Sequence, residues 1–339
     1  MLRVAVIGAG RIGKVHAAAV AAHPQARLVA VCDPIGTGAA DLAAIYEAKA
    51  YAEAADLFAD SDVDAVIIGS PTPLHAQQVL AAARAGKAVL VEKPVAGDVD
   101  EARALEAELA TFEHPPVMVG FQRRYDPSIR RAKALADAGE LGTIEQVTIV
   151  ARDPGPPPAE YVAASGGLFK DMTIHDFDEA RFFIGDIVEV SAFGQNVLPE
   201  LAETGDFDAA MVLLRGAGGA VATITNNRRC VTGYDQRLEV HGSLGSAVMD
   251  NWRETTLSVN TRDASGVRQP YLDFFLERYA AAYSNELSAF IDAINSGTEV
   301  SPTVADGVAA LLVAQAAEES ARTGRTVRLD IGGTPDYGG

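Results

Sequence analysis

A parallel, doubly wound α/β sheet followed by an α+β domain with a large, mostly antiparallel open sheet is the fold class predicted, on three observations. Over about the first 120 residues, short apolar runs alternate with alanine-rich helical stretches. Beyond Phe121, several strand-like segments follow one another with no helix between them. A chain of 339 residues is also too long for one comfortable core and suits two.

Strands of the first half are expected at residues 4–7, 28–32, 65–69, 88–91 and 117–121, with helices at 12–22, 38–46, 74–85 and 99–111. Runs buried on both faces, each followed by a helix, indicate βαβ units. A polar, arginine-rich helix at 127–138 opens the second half, then a strand at 143–152 and a proline cluster at 153–158. One helix over 171–184 precedes strands at 187–193, 208–214, 220–226, 236–241 and 246–250. Helices at 271–295 and 304–323 close the chain. The expected domains are 1–122 and 123–339.

Composition excludes several function classes. With 48% hydrophobic and 22% charged residues the chain is neither disordered nor fibrous. A net charge of −18 leaves no basic stripe to neutralise phosphates, so nucleic acid is not an expected partner. Cys32 and Cys230 form no CxxC or Cys/His cluster, which suits a reducing compartment and gives no zinc site. The apolar run at 4–7 is too short for a secretory signal, and no stretch approaches the roughly 20 residues of a membrane span. A cytoplasmic protein without membrane partners is expected.

Gly8-Ala9-Gly10-Arg11-Ile12-Gly13 directly follows a strand and opens a helix. Glycines in a GxGxxG of this kind permit a tight turn and bring backbone N–H groups close to a pyrophosphate at a helix N-terminus, the dinucleotide cradle of a Rossmann domain. Asp33 ends the second strand, about 20 residues beyond the cradle, where a carboxylate meets ribose hydroxyls. It accepts from a 2′-hydroxyl and repels a 2′-phosphate, and Pro34 and Ile35 supply no cation, so the expected cofactor is NAD rather than NADP. Ser70, Pro71 and Thr72, at the carboxyl end of the third strand, are expected on the nicotinamide-ribose side. His75 has two readings, a cofactor contact or a first-turn surface histidine.

Glu92-Lys93-Pro94 follows the fourth strand at the crevice mouth. A desolvated Lys93 there holds or receives the proton of a reacting hydroxyl; a solvated surface pair is the alternative. In the second half, Asp171 and His175 are i,i+4 and Asp178 follows at i+3, so one unbroken helix places all three on one face. A carboxylate beside an imidazole orients it and raises its basicity, as a general base requires. No second histidine lies nearby in sequence to complete a metal site, and none is expected.

These motifs, with 120–126, 152–154, 166–178, 233–237 and 278–283, resemble the Gfo/Idh/MocA oxidoreductases over nearly the whole chain, and the later ones are most similar to members that oxidise inositols. The resemblance implies a catalytic group of Lys93, Asp171 and His175, polyol contacts from Arg123, Asp153, Asp178 and Tyr234, and NAD contacts that include Glu92, Lys93 and Gln122. It implies oxidation of myo-inositol to 2-keto-myo-inositol, with scyllo-inositol or another sugar or polyol as alternatives. Gln122 departs from the Asn usual in inositol-oxidising members, a longer amide with the same chemistry near the nicotinamide. Whether Lys93 or His175 is the immediate base stays open. A non-catalytic NAD-binding sensor and an NAD-using glycosidase are the rival functions. The family is commonly tetrameric, pairing through the open face of the second-domain sheet, so a homotetramer is expected.

Overall fold

The computed structural model describes residues 1–330 and 335–336, with the side chains of 163, 164, 335 and 336 outside that description. Two compact units divide the chain: Met1–Tyr125 with Ala282–Leu311, and Asp126–Ala281 with Leu312–Gly339.

In the first unit the chain runs β1 (Leu2–Ile7), α1 (Arg11–Ala22), β2 (Ala26–Cys32), α2 (Gly38–Ile45), β3 (Lys49–Tyr51), α3 (Ala54–Ala59), β4 (Ala65–Ile68), α4 (His75–Arg84), β5 (Ala88–Glu92), α5 (Val99–Leu109) and β6 (Val117–Gly120). The strands form one parallel sheet in the order β3-β2-β1-β4-β5-β6. Continuous apolar runs make this sheet because helices cover both faces; β4 and β5 are buried at every residue. The order reverses between β1 and β4, and ligands of such sheets bind beyond the strand ends at that point. α5 starts where Asp98 caps it, accepting a hydrogen bond from the Glu101 N–H.

All five expected strands are present, and β3 and α3 are additional. β3 is three residues of Lys-Ala-Tyr with no apolar run to betray it. Residues 282–311 belong to this unit although they lie late in the chain: Leu287, Phe290 and Ile291 pack with Val4, Val6 and Leu90.

The second unit contains α6 (Pro127–Asp137), β7 (Ile144–Arg152), α7 (Ala159–Ser165), α8 (Leu168–Asp171), α9 (Ile174–Ile184), β8 (Ile187–Gln195), β9 (Ala209–Gly216), β10 (Val221–Asn227), β11 (Asp235–Gly242) and β12 (Gly245–Met249). A short ribbon, β13 (Ser258–Val259) with β14 (Val267–Arg268), precedes α10 (Phe275–Arg278), α11 (Ala280–Ser296) and α12 (Val304–Thr323), and β15 (Val327–Leu329) and β16 (Pro335–Asp336) follow. α11 and α12 each continue across the division between the units.

The large sheet runs β12-β11-β7-β10-β9-β8-β15-β16 and is antiparallel except at β7–β10. Residues in β9 and β11 alternate between buried and exposed along most of each strand, the signature of a sheet covered on one side. Its covered face packs Ile149, Val212 and Ile224 against Ile129 of α6, Phe177 and Ala180 of α9, and Ala314 and Ala317 of α12.

Two expected helices differ in detail. The stretch 271–295 is broken at Tyr279, between α10 and α11. The single helix expected over 171–184 is two, α8 and α9. Thr173 N–H donates to the Leu168 carbonyl, an i→i+5 bond that widens one turn at the junction. Met172 and Thr173 keep right-handed helical dihedrals, so local propensity carries no warning of the break.

Candidate active site

The cradle has the geometry that its glycines require. Gly8 sits at φ +95°, and a Cβ there would lie 2.5 Å from the Gly69 carbonyl oxygen. A Cβ on Gly13 would lie 1.8 Å from the Gly8 carbonyl oxygen, so α1 and the turn can close only on glycine. Around Gly10, by contrast, a Cβ would meet open space. Gly10 is the N-cap of α1 and offers no side-chain cap, so the start of the helix presents its positive end at the turn. Asp33 stands beside the turn and accepts from the N–H groups of Ala9 and Ile35, each at 2.8 Å. A carboxylate has about four acceptor sites, so ribose hydroxyls can still be served. Replacing Asp33 by serine is expected to lower kcat/KM with NAD about 10–100-fold and with NADP far less, measured by steady-state kinetics with both cofactors.

Further groups of the first unit cluster beyond the carboxyl ends of its strands. Ser70 follows β4 by two residues and donates its hydroxyl to Gln78 Oε1, and Thr72 opens the short 3-10 turn after Pro71. His75 is buried, which excludes the surface reading. Its Nδ1 lies 2.7 Å from the Pro94 carbonyl oxygen and its Nε2 2.8 Å from that of Ser70, so the ring ties the loop after β4 to the loop carrying Lys93. Burial pulls the His75 pKa down. Glu92 is buried too, paired with His16 Nε2 at 2.7 Å, so Glu92-Lys93 is no solvated surface pair.

Gln122 and Arg123, just past β6, are buried, and Gln122 Oε1 has no hydrogen-bond partner. An amide oxygen without a partner among the described residues at the ligand end of the sheet, together with the glycine turn before α1, fits a dinucleotide.

In the second unit Asp171 ends α8, and its Oδ1 accepts from the Tyr161 hydroxyl at 3.1 Å. His175 lies in the first turn of α9 and buried Asp178 follows one turn later, so that i,i+3 pair keeps its shared face. Asp171 does not lie on the same helix, and the i,i+4 face expected for it is replaced by the widened turn. Asp153 follows β7 and donates its N–H to the Asn227 carbonyl. Buried Tyr234 has its ring edge-on to Phe274 and Tyr279, each at 6.1 Å.

Several residues around these groups were not singled out from sequence. Asn226 bridges Thr173 and Asp176, and Arg228 lies 3.6 Å from Asp171. In the first unit, buried Glu286 has no hydrogen-bond partner among the described residues for either carboxyl oxygen and lies near Glu92. A lone Glu among Tyr283, Leu287 and Phe290 on α11 was the one local signal for it.

The chain is similar to known proteins over nearly its whole length. Residues 2–121 match the model of an oxidoreductase family with an NAD-binding Rossmann fold, and residues 129–248 match a GFO/IDH/MocA C-terminal domain. An inositol 2-dehydrogenase of Rhizobium meliloti is 43% identical, over 97% of this chain and 99% of its own. The crystal structure of a myo-inositol dehydrogenase from Corynebacterium glutamicum superposes with a TM-score of 0.93 at 46% identity, covering 97% of this chain and 99% of that one. That of a scyllo-inositol dehydrogenase from Lactobacillus casei with bound NAD(H) and scyllo-inositol gives 0.90 at 30% identity, covering 97% and 98%. Cradle, Asp33, a lysine at the end of β5 and full-length similarity thus agree, and the chain belongs to the Gfo/Idh/MocA family of NAD-binding oxidoreductases.

Proposed function

We propose that this protein oxidises a ring secondary alcohol of a cyclitol with NAD, myo-inositol to 2-keto-myo-inositol being the preferred reaction. The observation that carries this reading is full-length similarity to inositol 2-dehydrogenases together with the presence of Lys93, Asp171 and His175 in one chain. NAD, when bound, supplies the hydride acceptor. His175, oriented by Asp171, takes the hydroxyl proton, and Lys93 donates a hydrogen bond to the oxygen as negative charge develops on it. Arg123, Asp153, Asp178 and Tyr234 bind the remaining hydroxyls, which need both donors and acceptors.

The test is a panel of cyclitols and sugars with NAD or NADP, followed by absorbance of the reduced cofactor. Turnover of myo-inositol with NAD is expected. Binding of NAD without turnover of any polyol would favour a sensor, and cleavage of a chromogenic glycoside by enzyme retaining its cofactor would favour a glycosidase.

The working form is a cytoplasmic homotetramer. Two free cysteines suit a reducing compartment. The uncovered face of the large sheet presents Phe193, 71% exposed, directly beside its cross-strand partner Met211, with Leu213 two residues along β9. Apolar side chains clustered on an open face mark a contact surface. Changing Phe193 and Met211 together to aspartate is expected to convert tetramer to smaller species, read by sedimentation velocity. Among the described residues no helix is long and apolar enough to cross a membrane.

A further inference from the structure

Two side chains at the end of β10 grip the segment that carries Asp171 and His175. Asn226 accepts from the Thr173 hydroxyl at 2.8 Å and donates to Asp176 Oδ2 at 2.7 Å, all three residues being buried. Two positions on, Arg228 is 1% exposed, with Nη1 3.6 Å from Asp171 Oδ2 and Nη2 3.9 Å from Asp206 Oδ2. Asp206 in turn accepts from the Leu168 N–H at 2.8 Å and so pins the start of α8. The widened turn between α8 and α9 is thereby held from one strand end on both sides.

Arg228 is not an ordinary structural arginine. Its Nε and Nη2 have no hydrogen-bond partner among the described residues, so the guanidinium acts on its surroundings as a charge more than as a set of donors. It stays protonated even when buried, and a buried cation is costly without a counter-charge. Asp171 and Asp206 are its ion-pair partners among the described residues. Burial pushes the Asp206 carboxyl up, and Asp171 is the nearer of the two carboxylates to the guanidinium.

We propose that Arg228 is a positioning residue whose buried positive charge fixes the place of the Asp171 side chain relative to His175. This rests on the reading of Asp171 and His175 as members of the catalytic group. Asn226 secures the other side of the same turn through Thr173 and Asp176.

A double-mutant cycle tests it, with turnover of myo-inositol by the full chain and NAD as the readout. R228Q is expected to lower kcat about 10–100-fold with little change in the KM for NAD, and R228K to recover most of that loss. In a D171N background, R228Q is expected to cost nothing further, because the charge it serves is already gone. Independent, multiplying losses in the double variant would overturn the proposal. Should R228Q fail to fold, R228K carries the cycle alone, with a smaller loss against native Asp171 and none against D171N. A measurement without turnover separates this proposal from the functional reading. By carbon NMR of labelled aspartate, assigned with D171N, the Asp171 carboxyl signal is expected to be displaced in R228Q, and by less in R228K, relative to the native chain. No displacement overturns the role of Arg228 whatever the substrate, whereas absence of turnover in the native chain overturns only the dehydrogenase reading.

Discussion

Replacing His175 by alanine is expected to lower kcat with myo-inositol by about 10²–10⁴-fold, the range that a positioned general base supplies. An imidazole accepts a proton only when neutral, so native activity rises with pH through that ionisation, and the rise is expected to vanish in the variant. NADH binding, followed by its fluorescence, is expected to be nearly unchanged, since the cradle, Asp33 and Gln122 all belong to the first unit. Replacing Lys93 by methionine keeps the length of the stem and removes the donor, and a loss of kcat of similar size is expected. An H175A enzyme with native turnover would remove His175 from the mechanism.

The second large effect concerns stability. Glu286 is fully buried, neither oxygen is hydrogen-bonded, and the Glu92 carboxylate is near; burial first, then that charge, holds its carboxyl well above the usual range. The folded chain therefore keeps a proton that the unfolded chain releases above its ordinary pKa. Stability from this group is complete below that pKa and is lost as pH rises toward the raised folded value, at up to about 1.4 kcal/mol per pH unit. Glu286→Met has similar volume, nothing to titrate and no polar atom to satisfy. Its urea midpoint is expected to exceed the native one, by more at pH 8 than at pH 5. Equal differences at the two pH values would mean that Glu286 does not hold a proton in the fold.

What was legible in the sequence was local. Gly8, Gly10 and Gly13 declare themselves by spacing, because the strand, turn and helix they join are consecutive. The apolar runs of β4 and β5 are equally plain. Contacts set by tertiary packing left no such trace: His16 meets Glu92 across 76 positions, and Arg228 reaches back to α8. The widened turn at Thr173 was invisible for a different reason. Its residues are helical in their dihedrals, and only the choice of hydrogen-bond acceptor changes.

The return of residues 282–311 to the first unit also fixes when that unit is finished. Leu287, Phe290 and Ile291 fill a core whose other buried members are all made within the first 118 residues. A ribosome adding roughly 5–20 residues per second leaves this core incomplete for about ten to thirty seconds while the intervening chain is made. The dinucleotide-binding unit therefore cannot mature ahead of the rest, and a nascent chain stopped at Tyr125 carries an apolar gap where α11 belongs. Completion of the dinucleotide-binding core is thus coupled to synthesis of nearly the whole protein.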